Sequence, residues 1–160
     1  MMKLRHLLPI AALAASTVSI ASTFSEEWYI SGDSAYVDAV YKGEDSYGVV
    51  RSTVYPLRDG SVWIGFEYPV PESGCSRYEN QSNVRDSITF NGVLVRMVAQ
   101  CIDKQRILIR PKSDRARDLM ISHFKERNSV SIEIDGIKLD FSAKGFTAVY
   151  RAVSSKRSGL

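Results

Sequence analysis

The sequence is poor in the residues that build most catalytic centres. It has two cysteines and two histidines in 160 residues, and one histidine, His6, lies beside the apolar N-terminal stretch. The rest of the chain contains only His123, so it cannot form a site that needs two histidines. The sequence also lacks a G-x-S-x-G nucleophile motif, a glycine-rich phosphate loop, an H-E-x-x-H helix and a C-x-x-C pair. Enzyme classes that are recognised by these motifs therefore have no support.

Three weaker catalytic arrangements remain, and each has a simpler explanation or no support. Ser142 and Lys144 are nominal candidates for a Ser–Lys dyad, but Ser142 fits better as a helix cap and Lys144 as an ordinary exposed residue. His123 fits a structural or surface role better than that of a general base. A carboxylate pair, as used in glycoside hydrolysis, cannot be identified without a fold. We therefore predict a non-enzymatic protein without a metal or cofactor.

The N-terminus has the three regions of a bacterial secretory signal. Lys3 and Arg5 are followed by the apolar segment 7–15, which is too short to span a bilayer. Small residues at Ser19 and Ala21 then have the spacing that a signal peptidase requires. We expect cleavage after Ala21, although small residues within the apolar segment offer rival sites.

This interpretation divides the chain into a signal peptide, residues 1–21, and one exported domain, residues 22–160. The roughly 140 residues of the domain are enough for one hydrophobic core and too few for two. We expect the domain in the periplasm or outside the cell, without a transmembrane anchor. In such an oxidising compartment the two cysteines, Cys75 and Cys101, are expected to pair. Two free thiols are the alternative.

Charge is unevenly distributed along the predicted domain. Acidic residues outnumber basic ones up to Val95, and the reverse holds from Arg96 onward. The basic stretch is a candidate surface for phosphate, anionic lipid or an acidic protein, but its interspersed aspartates are more typical of a solvated face. No nucleic-acid partner is expected. The cations of this stretch are Lys104, Arg106, Arg110, Lys112, Arg115 and Arg117.

Apolar residues alternate with polar ones in segment after segment, which predicts an antiparallel sheet. The turn signals Asn91-Gly92 and Asp135-Gly136 predict tight hairpins, and Arg58-Asp59-Gly60 predicts a further hairpin turn. The predicted strands are 36–41, 48–55, 61–68, 87–90, 93–97 with an extension toward Cys101, 105–110, 130–134 and 137–141.

Two segments have helical spacing instead. Ser113 and Ser142 are each placed to cap the start of a helix. The apolar faces would be formed by Ala116, Leu119, Met120 and Phe124 in the first helix and by Phe146, Val149, Tyr150 and Val153 in the second. The predicted fold class is α+β: mainly antiparallel β, sandwich-like or a curved sheet of about six to eight strands, with two helices and one disulfide.

Two features of the first half indicate a binding surface. A long polar loop, residues 70–83, carries Cys75 together with Arg77 and Tyr78, and long loops in compact domains are often functional. Aromatic residues crowd the same half, and Trp63 points outward if only one face of the sheet is buried. A two-sided core with helices over the second face is the more ordinary arrangement.

The segment from Phe141 to Ala148 reads F-S-A-K-G-F-T-A and follows a predicted helix and strand pair. With Trp28 soon after the signal and a pair of cysteines, this ending resembles the invasion-associated locus B family of bacterial envelope proteins. The resemblance covers mainly residues 84–153. It implies a small exported β-rich protein, some members being linked with host-cell invasion, and it implies no catalytic site. The absence of a cysteine close to Trp28 departs from the family pattern.

These observations predict an exported, non-enzymatic bacterial protein that binds a protein partner, as an envelope factor, an inhibitor or an immunity protein. The alternatives are a small periplasmic hydrolase without a recognisable motif and a self-associating envelope structural protein. A pocket with convergent carboxylates or an activated serine would favour the hydrolase. A solid core with a protruding charged or aromatic surface would favour binding.

Overall fold

The computed structural model of the protein describes residues 23–24, 26–42, 47–75 and 83–156. The predicted signal peptide and much of the long loop, with Arg77 and Tyr78, lie outside these residues. Within the described part, no helix is both long enough and apolar enough to cross a membrane.

The predicted fold class is confirmed: most of the described residues form antiparallel strands, accompanied by two helices of several turns, one single-turn helix and one disulfide. The strands are β1 (Thr23–Phe24), β2 (Tyr29–Ser31), β3 (Ser34–Lys42), β4 (Tyr47–Pro56), β5 (Val62–Pro69), β6 (Asn83–Phe90), β7 (Val93–Asp103), β8 (Arg106–Pro111), β9 (Ser129–Ile134) and β10 (Ile137–Ser142). The helices are α1 (Glu72–Cys75), α2 (Asp114–Glu126) and α3 (Phe146–Ser155).

All ten strands belong to one sheet, in the order β1-β3-β4-β5-β8-β7-β6-β9-β10, with β2 beside β3. The eight predicted strands are all present, and the sheet has two more. The additional strands, β1 and β2, have two and three residues, too few for a period-two pattern to reveal them. The single turn of α1 lies within the segment that was predicted to be a loop.

The tight turns form as the sequence predicts. Asn91 and Gly92 have φ angles of 46° and 81°, and Asp135 and Gly136 have φ angles of 51° and 77°. Two consecutive residues with positive φ are typical of the hairpin turn whose twist matches that of its strands. The predicted hairpin of β4 and β5 is also confirmed, with Pro56 paired with Val62 across the turn.

Alternation along the strands buries one face of the sheet. In β5, Ile64 and Phe66 are fully buried, whereas Trp63 and Glu67 are only partly buried. The buried residues of α2 and α3 belong to the same hydrophobic cluster as these core residues. The helices therefore cover the buried face, which differs from the expected two-sided core. We call the opposite face the outer face; among its residues are Tyr36, Asp38, Arg51, Tyr55, Trp63, Glu67, Leu108 and Arg110.

One helix cap follows the prediction and the other does not. Ser113 caps α2, because its side chain accepts a hydrogen bond from the Ala116 N–H at 3.3 Å. The prediction that Ser142 caps the last helix is wrong. Ser142 ends β10, and α3 begins after Gly145, whose φ of 83° turns the chain into the helix without a side-chain cap. A glycine adopts this left-handed conformation without a steric penalty.

The ends of the curled sheet come together, with β10 close to β1 and β3, and Trp28 connects them. Trp28 is only 6% exposed, and its indole N–H donates to the Ser142 carbonyl at 2.9 Å. Its backbone N–H donates to the Lys144 carbonyl at 3.2 Å. The ring also meets Phe124 of α2 and Phe146 of α3 nearly edge-on, with centroids 5.3 and 5.0 Å apart. Trp28 thus joins the N-terminal segment, the last hairpin and both helices.

The predicted disulfide between Cys75 and Cys101 is confirmed. It joins α1 to β7, and the two Cα atoms are 5.5 Å apart. The chain-entropy model gives about 3.5 kcal/mol of stabilisation for a closed loop of this length. The bond therefore holds the beginning of the predicted long loop against the sheet.

Replacing Trp28 by phenylalanine should lower the free energy of unfolding by about 2 to 3 kcal/mol, because the variant leaves a cavity and an unpaired Ser142 carbonyl. Chemical denaturation of the oxidised protein measures this change. Trp63→Phe is the matched control, since Trp63 is half-exposed and its indole N–H bonds only to the Ser61 side chain. Equal stability losses in the two variants would contradict the role assigned to Trp28.

Candidate functional site

Ion pairs cross the outer face from strand to strand. The strand register places Asp38 beside Arg51 and Arg51 beside Glu67. Arg51 Nε donates to Asp38 Oδ1 at 2.7 Å, and Arg106 Nη1 donates to Glu67 Oε2 at 3.0 Å. Solvent screens such part-exposed pairs, so each contributes little to stability. The pairs do compensate the charges of Arg51 and Arg106. A cation available to a ligand must therefore lie elsewhere on the outer face.

Trp63 lies on the outer face between two guanidinium groups. The Cζ atoms of Arg110 and Arg117 are each 5.2 Å from the centroid of its ring. The indole N–H donates to Ser61 Oγ at 3.2 Å. Cations at this distance are attracted by the electron-rich ring face. The ring is therefore held in place although it remains half-exposed to solvent.

The two arginines beside Trp63 differ in how their charges are compensated. Arg117 pairs with Asp114 and Asp118, each at 2.9 Å, and the hydrogen bond that it donates to Asp118 is the main cause that raises the pKa of its guanidinium. Among the described residues, no carboxylate forms an ion pair with Arg110. Of the two arginines beside Trp63, Arg110 is therefore the one whose charge is not compensated by a described carboxylate.

A pocket of about 180 Å³ opens beside Trp63, and Tyr55 is one of the residues that line it. Tyr55 lies directly opposite Trp63 in the register of β4 and β5. Its hydroxyl is buried and has no hydrogen-bond partner among the described residues. Burial raises the pKa of this hydroxyl to about 12, against the opposing effect of Arg110. The pocket is lined by Tyr55, Leu57, Trp63, Gln100, Leu108 and Arg110.

The predicted basic stretch does not form one continuous patch. Arg106 and Arg110 lie on the outer face, and Arg117 reaches it from the first turn of α2. Lys104 occupies the turn between β7 and β8. The other two cations of the stretch, Lys112 and Arg115, are exposed near the start of α2. Of the predicted binding residues, the structure thus brings together Trp63, Arg110 and Arg117.

A second, larger groove of about 690 Å³ lies between α2 and the start of β7. Arg115 lines this groove. Its apolar lining includes Val93 and Leu94, which are 43% and 72% exposed, and the half-buried Leu119. The groove lacks a buried polar group comparable to the Tyr55 hydroxyl among its described lining residues.

His123 takes part in a side-chain network that supports a structural role. The Oδ1 atom of Asn91 accepts a hydrogen bond from the Ser131 N–H at 2.8 Å, so the Asn91 amide nitrogen is left to donate to His123 Nδ1, 3.0 Å away. An accepting Nδ1 requires a neutral imidazole. The ring also stacks on Phe90, and burial, followed by the charge of Arg127, lowers the pKa of His123.

Ser142 and Lys144 are not arranged as a catalytic dyad. The Ser142 hydroxyl donates to the Glu26 carbonyl at 2.8 Å, and the Lys144 ammonium pairs with the Glu27 carboxylate. Both contacts join the end of β10 to the segment that precedes Trp28. The described residues also contain no group of three or more His, Cys, Asp or Glu side chains that could hold a metal ion.

The sequence identified Trp63 and Arg110 separately but not the pocket that they share. The predicted turn at residues 58–60 is enough to place Tyr55 opposite Trp63, so the position of Tyr55 in the pocket could be predicted from the sequence. The position of Gln100 could not. Gln100 reaches the pocket because β8 lies between β5 and β7 in the sheet, and this order of strands cannot be read from local patterns.

Acidification should destabilise the mature protein through His123, its one histidine if the signal peptide is removed. The folded-state pKa lies below the ordinary 6.5, so the unfolded chain binds the proton more readily. The contribution is present above about pH 6.5 and is lost as pH falls through the folded-state pKa. Denaturant unfolding between pH 7.5 and 5.5 should show a shallower pH dependence for His123→Phe. An unchanged slope in this variant would refute the interpretation.

The chain matches no protein-family model, no curated protein and no solved structure. Function is therefore inferred from the outer face and the residues that line its pocket.

Proposed function

We propose that this is an exported bacterial protein that binds a protein partner through the outer face at Trp63. The observation that carries the proposal is a half-buried tryptophan on the outer face, held between Arg110 of β8 and Arg117 of α2. Tryptophan and arginine are the residues most often responsible for binding energy at protein interfaces. A side chain that is already held in its rotamer also loses less entropy when a partner binds.

The composition of the pocket favours binding over hydrolysis. Its described lining residues include no carboxylate, histidine, serine or thiol, so they provide neither a nucleophile with a general base nor a pair of acids. They do provide a cation, an amide, a phenol and three apolar or aromatic walls. Such a set fits recognition of a polar group attached to an apolar one.

The disulfide supports the export part of the proposal. A structural disulfide persists in oxidising compartments and is rare in the bacterial cytoplasm, and Cys75 and Cys101 are bonded. The basic and apolar regions at the N-terminus provide the corresponding targeting signal. The partner is accordingly sought in the periplasm, the envelope or the surroundings of the cell.

The charge of the site indicates the kind of partner surface. Arg110 has no carboxylate partner among the described residues, whereas Arg51, Arg106 and Arg117 do. A partner that supplies a carboxylate beside Trp63 would therefore compensate the remaining charge. We expect an acidic contact on the partner, next to an apolar group that covers the indole ring.

Affinity capture with the mature, oxidised protein tests this function. The wild-type protein should retain a stoichiometric partner from envelope extract or culture supernatant after a salt wash, and Trp63→Ala should lose it. Removing a central tryptophan from an interface typically weakens binding at least 30-fold. Leu94→Ala is the matched control, because Leu94 is 72% exposed and lines the other groove.

Both variants must first show the same unfolding midpoint as the wild type to within a few degrees. Retention of the partner by Trp63→Ala would contradict the proposed site. Loss of the partner in Leu94→Ala alone would transfer binding to the groove beside α2. Recovery of nothing except the protein itself would favour self-association and remove the main support for a partner.

A further inference from the structure

The groove between α2 and the start of β7 combines exposed apolar side chains with positive charge. Leu94 and Arg96 alternate with buried residues of β7 and share its exposed side. Leu94 is 72% exposed and Val93 is 43% exposed, and both line the groove together with Arg96 and Arg115. Apolar side chains that gather at an exposed site, rather than lying singly, mark an interaction surface.

A third cation, Lys112, lies beside Arg96. The Lys112 N–H donates to the Arg96 carbonyl at 3.0 Å, which continues the register that pairs Met97 with Pro111. Residues directly opposite each other in an antiparallel pair share one face, so Lys112 lies on the exposed side with Arg96. Among the residues that the structure describes, no carboxylate forms an ion pair with Arg96, Lys112 or Arg115.

The carboxylates near the groove have a partner of their own. Asp118 lines the groove, and Asp114 begins α2. Both pair with Arg117 at 2.9 Å, and Arg117 lies beside Trp63. The groove and its surroundings therefore keep a net positive charge, which attracts an anionic surface.

The side chains of the groove suit a lipid surface better than a protein. Ser113 Oγ accepts a hydrogen bond from the Ala116 N–H at 3.3 Å. Ser122 Oγ donates to the Leu119 carbonyl at 2.8 Å. Both hydroxyls of the described lining are thus engaged within α2, which leaves charge and apolar surface for a ligand.

Apolar surface of this composition is not typical of a protein hot spot. The apolar side chains of the described lining are leucine, valine and alanine, and leucine and valine are under-represented among the residues that dominate binding at protein interfaces. A layer of anionic lipids offers negative headgroups and apolar chains at one surface. Cations beside exposed apolar side chains are the combination that such a layer attracts.

We propose that the groove between α2 and β7 binds the surface of a membrane that contains anionic lipids. Leu94 contacts the lipid chains, and the three cations contact the lipid phosphates. Binding is reversible, because so small an apolar contact with a few cations falls far short of the anchor that a spanning helix provides. This surface is separate from the proposed partner site, since neither Trp63 nor Arg110 is among the described residues that line the groove.

Co-sedimentation of the mature, oxidised protein with vesicles tests the proposal. Vesicles of phosphatidylcholine and phosphatidylglycerol in equimolar amounts should bind the protein saturably at low ionic strength. Vesicles of phosphatidylcholine alone should bind it at least about tenfold more weakly, because the attraction of the three cations is lost. Added salt should weaken binding to the anionic vesicles by screening the charges.

Variants locate the contact on the protein. Arg115→Gln should weaken binding to the anionic vesicles about fivefold, the effect expected for removing one cation near such a surface. Leu94→Ala should weaken it about fivefold or more, because an apolar contact is lost. The matched controls are Arg151→Gln, an exposed arginine on α3, and Ile102→Ala, a residue 45% exposed near the other end of β7. Both controls, and Trp63→Ala, should bind like the wild type.

Equal binding to the two kinds of vesicle, or binding to neither, would overturn the proposal. So would an unchanged affinity in Leu94→Ala, or equal losses in Arg115→Gln and Arg151→Gln, which would indicate net charge rather than the groove. Capture of an acidic protein that depends on Leu94, without vesicle binding, would assign the groove to a protein instead. Loss of vesicle binding in Trp63→Ala would contradict the separation of the two surfaces.

Discussion

The buried contact of Trp28 with the end of β10 is the constraint on which the rest of the fold depends. Its indole and backbone N–H groups both donate to carbonyls of the last hairpin, at Ser142 and Lys144, and its ring packs between α2 and α3. A curled sheet whose ends meet must fill the space that it encloses, and both helices are used for this. The apolar sides of both helices therefore pack against the buried face, and Arg117 of α2 reaches the outer face at Trp63.

We propose that the outer face is the binding surface of the domain. Most of its charges are compensated across the strands, as with Asp38 and Arg51 or Glu67 and Arg106. The exception beside Trp63 is Arg110, which stacks on the indole ring and forms no ion pair with a carboxylate among the described residues.

Local patterns in the sequence predicted the eight main strands, both long helices and the tight turns, because alternation, helical spacing and turn residues act over short distances. The disulfide followed instead from the presence of only two cysteines and the expected oxidising compartment. Local patterns did not predict contacts between segments that are far apart in the sequence. Ser142 has the side chain of a helix cap, yet its hydroxyl binds the Glu26 carbonyl, more than a hundred residues earlier. Trp63 was identified as a possible outward aromatic, whereas Gln100 became its neighbour only through the order of strands β5, β8 and β7.

Hydroxyl-radical footprinting of the protein with and without its captured partner tests the central claim most directly. The protein has two tryptophans, and the half-exposed Trp63 should be oxidised readily in the free protein and protected in the complex. Trp28, which is 6% exposed, should react slowly in both states and serves as the internal reference. Unchanged oxidation of Trp63 in the complex, with protection at Leu94 instead, would contradict the assignment of function to the outer face.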